Sequence, residues 1–149
     1  LRKMGLHDVK RVGRVGSFVV ISMTPRYPGH ARRVADFVMT GVGARPPKYV
    51  VIVDQDIDPN SQRDVMWALS SRVDAEESVY LVKDRWGSPT DPRIPPEKKR
   101  VGDITASSLI FDATIPLSWK DEFPKPTAFS KPVLDEYRKK WASKLARSQ

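Results

Sequence analysis

The 149-residue sequence predicts an α/β domain: a layered, mixed and partly parallel sheet with flanking helices, followed by an extended C-terminal arm and helix. Two observations at its centre lead to this fold class. Tyr49–Val53 is a continuous β-branched and aromatic run, typical of a strand covered on both faces. A short acidic turn and an amphipathic helical pattern follow it, so the chain forms a strand–turn–helix unit. The length suits one domain with a single core.

Two strands and a helix are predicted before this unit. Residues 9–15 and 17–24 alternate or run apolar, and glycines punctuate them, so they predict an antiparallel strand pair. Tyr27-Pro28-Gly29 predicts a turn. The helix after it is indicated by apolar residues at helical spacing that end near Gly41 or Gly43. Those residues are Ala31, Val34, Ala35, Val38 and Val42.

The helix of the central unit is predicted to begin at Asp58-Pro59. Asp58 would cap the helix, and Pro59 would take the first helical position, where its missing N–H costs nothing. The helix would pack on the sheet through one apolar stripe. That stripe consists of Val65, Met66, Leu69 and Val73.

Two further strands are predicted, with a long loop between them. Residues 78–82 and 107–111 are β-rich, and the second run continues into Asp112–Pro116. Residues 83–104 are polar and hold five prolines or glycines before the basic run Lys98–Arg100. They predict a surface loop of a length that is often functional or mobile.

The C-terminal part divides into an arm and a helix, so the predicted organisation is 1–116, 117–132 and 133–149. The arm is rich in proline and lysine. One face of the helix carries Leu134, Tyr137, Trp141 and Leu145, and basic residues cover the others. A helix held on an arm favours oligomer contacts with a neighbouring subunit, and docking on its own domain is an open alternative.

The net charge of +8 lies at the two ends of the chain. Residues 1–14 and 131–149 each carry +4, whereas the segment between them holds fifteen basic and fifteen acidic side chains. With a neutral body and no recognisable motif, we expect no nucleic-acid partner. There is no cysteine, which suits the cytoplasm. No apolar run reaches transmembrane length and no secretory signal is visible, so no membrane is expected.

Asp54, Asp56 and Asp58 open a D-x-D-x-D pattern of the kind that begins a calcium loop. The rest of that pattern fails, because Pro59 replaces the turn glycine and Val65 replaces the bidentate glutamate. The three carboxylates are therefore predicted to be caps, turn formers and ion-pair partners, and no metal site is expected.

His30 is the candidate functional histidine, with Arg26 beside it in sequence. It lies at a strand-to-helix turn, where α/β folds commonly place ligands. A histidine among arginines suits an anionic or phenolic group, but hydrogen bonding at the helix start is an equally local explanation. The other histidine, His7, is predicted to be solvent-exposed. No nucleophile or phosphate-loop motif is present, so the chain shows no self-contained active site.

Four blocks occur in order along the chain: Tyr27–Arg32, Val51–Pro59, Asp64–Arg72 and Asp112–Pro116. Together they resemble the C-terminal domain of UbiD-like decarboxylases. The resemblance covers about residues 8–116, and the arm and final helix also look like the family's tail.

The resemblance implies an enzyme of reversible, non-oxidative decarboxylation of aromatic or α,β-unsaturated carboxylic acids. The family uses prenylated FMN with a divalent metal (Mn or Mg) and potassium, bound by a domain that lies N-terminal to this one. Its catalytic Glu-Arg-Glu set lies there too, so this chain would hold no catalytic, cofactor-binding or metal-binding residue and would be inactive alone. His30 and Arg26 are the substrate-pocket candidates on this analogy.

The implied partners are that flavin domain, further copies of the chain through the C-terminal helix, and a small aromatic or unsaturated acid. The start at Leu1 suggests a segment of a longer or processed polypeptide. The alternative is a separate, non-catalytic interaction subunit of a multi-subunit carboxylase or decarboxylase.

Overall fold

The computed structural model describes residues 6–41, 47–125 and 129–145, and it confirms the predicted α/β class with a mixed sheet and flanking helices. The strands are β1 (Val9–Val15), β2 (Phe18–Met23), β3 (Tyr49–Asp54), β4 (Val79–Trp86) and β5 (Thr105–Ala113). The helices are α1 (His30–Gly41), α2 (Gln62–Arg72), α3 (Pro96–Arg100) and α4 (Lys131–Leu145), and a 3-10 turn covers Leu117–Trp119.

The five strands lie in the order β1-β2-β3-β5-β4. The three central strands β2, β3 and β5 run parallel, whereas β1 and β4 pair antiparallel with their neighbours at the two edges. The predicted antiparallel pairing of the first two strands is therefore confirmed. Since β5 inserts between β3 and β4, the carboxyl ends of three parallel strands lie along one edge of the sheet.

The helices α1 and α2 cover opposite faces of the sheet, which explains why the β3 run contains no polar residue before its end. Alternate side chains along a strand point to opposite faces, so both faces of β3 are apolar. Under α1 lie Ile21, Met23, Val50, Ile52 and Ile110. Under α2 lie Val20, Val51, Val53 and Ala113.

The first helix agrees with its prediction. It begins directly after the Tyr27–Gly29 turn, and Gly29 has a φ of 83°, a backbone conformation that favours glycine. Its inner face is formed by Ala31, Val34, Ala35 and Val38, with Met39 added. Val42 and Gly43, which the prediction also named, lie outside the described residues.

The start of α2 differs from its prediction. Ser61, rather than Asp58, caps the helix, and its Oγ accepts the Asp64 N–H at 3.3 Å. Asp58 accepts the Asn60 N–H at 3.2 Å and so forms the preceding turn. That turn presses against β1: a β carbon on Gly13 would lie 2.5 Å from the Pro59 carbonyl oxygen. Because this close approach holds Pro59 in the turn, the helix begins only after it.

The predicted inner stripe of α2 is also partly wrong. Val65 is buried as expected, but Met66 is 50% exposed and Ala68 takes its place in the core. Consecutive helical residues are about 100° apart, so Met66 cannot share the face on which Val65, Ala68 and Arg72 lie. The last buried position on that face is the arginine.

The predicted loop 83–104 contains parts of two elements. The strand β4 continues to Trp86, because Arg85 and Trp86 pair with β5 after a register shift that begins at Val82. Asp84 lies in that bulge with a φ of 51°. The short helix α3 then occupies the basic run. The end of β4 was not predicted because its residues are polar. They can be polar because β4 is an edge strand with solvent on its outer side.

The C-terminal arm is followed by a helix that starts at Lys131, two residues before the predicted boundary. The apolar side chains of α4 remain accessible: Leu134, Tyr137 and Trp141 are 39%, 56% and 41% exposed. The Leu145 side chain and residues 146–149 lie outside the described part. Across the described ranges, no helix combines the length and apolar character that a membrane crossing requires.

Candidate functional site

The carboxyl edge of β2, β3 and β5 is the candidate site, because the chain leaves adjacent strands toward opposite faces there. It leaves β2 for α1 on one face and β3 for α2 on the other. Such a divergence opens the crevice in which α/β sheets bind ligands. The two departing segments are joined where the Thr24 hydroxyl donates to Gln55 Oε1 at 3.4 Å.

Three neighbouring cavities lie around this edge, with volumes of about 220, 250 and 450 Å³. Tyr27 lines the first and the second, and Glu77, Ser78 and Pro116 line the second and the third. The shared residues show that the three cavities lie side by side along this edge.

The first cavity contains both candidates predicted from the sequence. His30 and Arg26 line it together with Asp8 and Arg33. Arg26 forms an ion pair with Asp8, and the Arg33 guanidinium donates to the Tyr27 hydroxyl at 3.1 Å. The Tyr27 ring stacks on the His30 ring, with centroids 4.5 Å apart. Two arginines against one carboxylate give the described part of the cavity wall a positive excess that suits an anion.

His30 is 7% exposed, and one of its two ring nitrogens is occupied. Its Nδ1 accepts the Arg26 backbone N–H at 3.3 Å, so the predicted hydrogen bond at the helix start is confirmed. With Nδ1 as an acceptor, the neutral ring carries its proton on Nε2, which lies 3.9 Å from Asp8 Oδ2. Only Nε2 is therefore available to a ligand, and the substrate role of His30 stays a prediction. His7 is exposed and takes no part in this cavity.

The second cavity is built around Asp112, which the sequence did not single out as a site residue. One oxygen of its carboxylate accepts the Thr114 hydroxyl at 2.6 Å and the Thr114 N–H at 3.1 Å. Burial raises the pKa of Asp112, and the two bonds from Thr114 oppose that rise. An aspartate two residues before a threonine is typical of a turn, so this turn could have been predicted from the sequence.

The third cavity has an acidic and aromatic wall. Trp119 and Phe123 line it, with ring centroids 5.0 Å apart, and the acidic turn Asp74–Glu77 lies on the other side. Asp74 accepts the backbone N–H groups of Glu77 and Glu76, and these bonds lower its pKa. The cavity also reaches Arg72 at the end of α2.

Arg72, at the end of α2, bonds to the carboxylates that follow and end β3. The sequence did not single it out as a site residue. Its Nη1 lies 3.1 Å from Asp54 Oδ2 and 3.1 Å from Asp56 Oδ1, and its Nη2 lies 2.6 Å from Asp56 Oδ2. The same Asp54 oxygen accepts the Ile115 N–H at 2.7 Å from the far end of β5. The Arg72 side chain is 1% exposed and lies 5.0 Å from the Trp67 ring centroid.

The two carboxylates around Arg72 have opposite pKa shifts. Burial raises the pKa of Asp54, although the Ile115 N–H and Arg72 counteract it. The hydrogen bonds from Arg72 lower the pKa of Asp56, whose side chain is 52% exposed. The Arg72 guanidinium thus offsets part of the desolvation cost of the buried Asp54 carboxylate.

The D-x-D-x-D residues prove to be ion-pair partners and turn formers. Asp54 and Asp56 bind Arg72, and Asp58 lies 3.7 Å from Arg11 in an exposed pair. Only the capping role predicted for Asp58 is wrong. Within the described ranges, no three acidic, histidine or cysteine side chains are grouped so as to hold a metal ion.

Comparison with known proteins agrees with this geometry. The family of the 3-octaprenyl-4-hydroxybenzoate carboxy-lyase C-terminal domain matches residues 3–113. The chain belongs to this family. The resemblance to UbiD-like C-terminal domains seen in the sequence is thereby confirmed.

Relatives of this UbiD C-terminal domain include two phenolic acid decarboxylases. The protein from Sedimentibacter hydroxybenzoicus is 32% identical over 133 residues, and the match covers 87% of this chain and 25% of the relative. The protein from Escherichia coli O157:H7 is 36% identical over 134 residues, covering 87% of this chain and 26% of the relative. The chain therefore spans about a quarter of the length of these relatives.

The fold is shared with the UbiD-class enzyme HmfF from Pelotomaculum thermopropionicum, whose structure was determined in complex with FMN. The TM-score is 0.72 at 29% identity, and the match covers 90% of this chain and 29% of that one. The helices and strands of the UbiD C-terminal domain described above are thus those of a decarboxylase family.

Replacing Arg72 with methionine tests the ion pairs that Arg72 forms with Asp54 and Asp56. Arg72→Met leaves Asp54 buried without its cation, so we expect the free energy of unfolding at pH 7 to fall by about 3–5 kcal/mol. Without Arg72, burial holds the folded-state pKa of Asp54 above its unfolded value, so stability is present at low pH and lost as pH rises through the folded-state pKa. Asp56 has a lowered pKa, so its stabilisation of the wild type is lost only below about pH 5 and stays constant between pH 7 and pH 5. The difference in unfolding free energy between the wild type and Arg72→Met should therefore be smaller at pH 5 than at pH 7. Urea unfolding followed by circular dichroism measures it.

Arg63→Met is the matched control, because Arg63 lies on the same helix and is exposed. It should change the unfolding free energy by less than about 0.5 kcal/mol. A deficit for Arg72→Met that is constant between pH 7 and pH 5 would contradict the dependence of Asp54 on Arg72.

Proposed function

We propose that this chain is the C-terminal, substrate-pocket part of a prenylated-FMN-dependent enzyme that reversibly decarboxylates aromatic or α,β-unsaturated carboxylic acids without oxidation. The observation that carries the proposal is family membership over residues 3–113, together with relatives that are phenolic acid decarboxylases about four times as long. The cysteine-free composition suits a cytoplasmic enzyme.

The cofactor belongs to the remainder of that enzyme in this proposal. The structure of HmfF is in complex with FMN. The family resemblance implies prenylated FMN with Mn or Mg and potassium on the N-terminal flavin domain. The described residues offer no grouped metal ligands, so they do not fit such a centre. Prenylated FMN supplies the decarboxylation chemistry where it is bound, and this chain supplies a wall of the pocket.

The wall that faces the substrate is the positive cavity at the carboxyl edge. Arg26 and Arg33 provide charge-assisted donors for a carboxylate or phenolate, and His30 provides the one N–H at Nε2. Asp8 holds Arg26 and faces His30, so the donors are preoriented. The donors lie at the divergence of the α1 and α2 connections, where a second domain has access to them.

The activity is tested on the complete polypeptide to which the segment belongs. Coexpressed with a source of prenylated FMN, that protein should release CO₂ from a panel of phenolic and unsaturated acids, whereas residues 1–149 alone should be inactive. A complete protein without a flavin domain, bound to no separate flavoprotein by native mass spectrometry, would refute the proposal. Copurification with a separate flavoprotein would instead favour the interaction-subunit alternative.

Substituting His30 in the complete enzyme separates its two roles. In His30→Asn, the amide oxygen takes the place of Nδ1 and keeps the bond from the Arg26 N–H, but Nε2 is lost. We expect normal thermal stability and a loss of kcat/KM of about 10- to 100-fold, the value of a hydrogen bond to a charged group. Steady-state kinetics and a melting curve measure the two effects.

His7→Asn is the matched control, since His7 is exposed and outside the cavity. It should leave both kinetics and stability unchanged. Unaltered kinetics in His30→Asn would limit His30 to the hydrogen bond at the helix start.

We also propose that α4 joins copies of the enzyme. Its apolar stripe is accessible in the single chain, and exposed stripes of Leu, Tyr and Trp are characteristic of contact surfaces. Lys139 and Lys140 beside the stripe keep the remaining surface of the helix polar.

Deleting residues 131–149 from the complete enzyme should convert an oligomer to a monomer, because it removes the stripe. Light scattering after gel filtration measures the change. The control is Lys139→Ala/Lys140→Ala, which keeps the stripe and should keep the oligomer. An unchanged mass after the deletion would exclude α4 as the main subunit contact.

A further inference from the structure

A larger cavity, of about 550 Å³, lies at the opposite, amino edge of the parallel strands. It is formed where the β1–β2 turn, the starts of β3 and β5 and the end of β4 meet. The six residues of β3 separate the two edges by about 20 Å. This amino-edge cavity therefore differs from the proposed substrate wall.

Arg85 is the central cation of the amino-edge cavity. Its guanidinium donates to the Met39 carbonyl at 2.5 Å, to the Pro47 carbonyl at 2.8 Å and to the Ser108 hydroxyl at 2.9 Å. These partners orient the group but carry no negative charge, and no carboxylate of the described residues pairs with it. Burial lowers the pKa of Arg85, as expected for a cation that lacks a counterion.

Asp91, the one acidic residue among the described residues of the cavity wall, is already paired with other groups. Its carboxylate accepts the Lys48 ammonium at 2.8 Å and the Arg93 N–H at 2.9 Å, and these bonds lower its pKa. Lys99 donates to the Asp91 backbone carbonyl at 2.7 Å and adds a further positive charge nearby. Asp91 therefore leaves Arg85 uncompensated.

Among the described residues of the cavity wall there are two more positive than negative charges, because Arg14, Lys48 and Arg85 stand against Asp91. Arg14 is exposed, and it forms no ion pair within the described part of the chain. Arg14 belongs to the basic N-terminal segment, whereas Lys48 and Arg85 come from residues 15–130, which are neutral as a whole. Hydroxyl donors from Ser17, Ser88 and Ser107 stand among the cations.

We propose that the amino-edge cavity binds a small molecule through its oxyanion, a carboxylate or a phosphate. The cations supply the attraction, the serine hydroxyls supply neutral donors, and the volume lies in the range of small-ligand pockets. Binding there would complete the coordination of Arg85, which also holds the end of α1 against β3. The site is independent of the decarboxylase assignment.

Titration of the 149-residue chain with inorganic phosphate and with succinate tests this site, with sodium chloride keeping the ionic strength constant. We expect saturable shifts of the backbone amide signals of Ser17, Ser88 and Ser107 in NMR spectra. Arg14→Gln and Lys48→Gln should each weaken binding by about 5- to 20-fold, the effect of one charge at about 5 Å in a partly screened site. Stronger binding of one probe would identify the oxyanion class.

Arg63→Gln is the matched control, because it removes the same charge from an exposed position on α2. It should leave the affinities for phosphate and for succinate within twofold of the wild-type values. Equal weakening by Arg63→Gln, or shifts that sodium chloride alone reproduces, would show a general charge effect and overturn the site. The absence of saturable shifts for both probes would overturn it as well.

Discussion

The buried bond between Arg72 and Asp54 is the interaction on which the arrangement of the carboxyl edge depends. Arg72 comes from the last turn of α2 and Asp54 from the end of β3, and the same carboxylate oxygen accepts the Ile115 N–H beyond β5. Ser22 on β2 adds a bond to the Asp54 carbonyl at 3.3 Å. Through its carboxylate and its backbone carbonyl, Asp54 thus connects a helix with the ends of three parallel strands. Since breaking a buried pair leaves an uncompensated charge, these segments hold one another in a single arrangement.

The bonds of Asp54 also fix the strand ends from which the turns of the candidate site begin. The Tyr27–His30 turn and the Asp112–Thr114 turn follow strands whose ends these bonds connect, and both line the rim of cavities at that edge. Because the end of β2 is held, the connection that carries Arg26 leads from a fixed strand end to His30 at the start of α1. Such preorganisation is what a pocket wall needs when the reactive group belongs to another domain.

The two edges of the sheet differ in how their charges are balanced. At the carboxyl edge, Arg72 is neutralised by two carboxylates, and Arg26 is paired with Asp8. At the amino edge, Arg85 is held by carbonyl and hydroxyl oxygens that leave its charge in place. A guanidinium fixed in this way costs desolvation free energy that an anionic ligand would offset. The contrast separates Arg72, which is held in a structural ion pair, from Arg85, whose charge is left to bind an anion.

The sequence by itself determined the fold class, the antiparallel pair β1–β2, the doubly covered strand β3 and the family. These depend on periodicity and on blocks of neighbouring residues, which a sequence displays directly. Only the tertiary structure decided that Ser61 caps α2, that β4 continues to Trp86, that Arg72 is a buried cation and that Arg85 is a partly buried one. Each of these is set by a partner distant in the chain: Pro59 against Gly13, β5 beside β4, Asp54 under Arg72, and the Met39 carbonyl at Arg85. Local patterns carry no information about such partners, because contacts across a sheet are made only when the strands assemble.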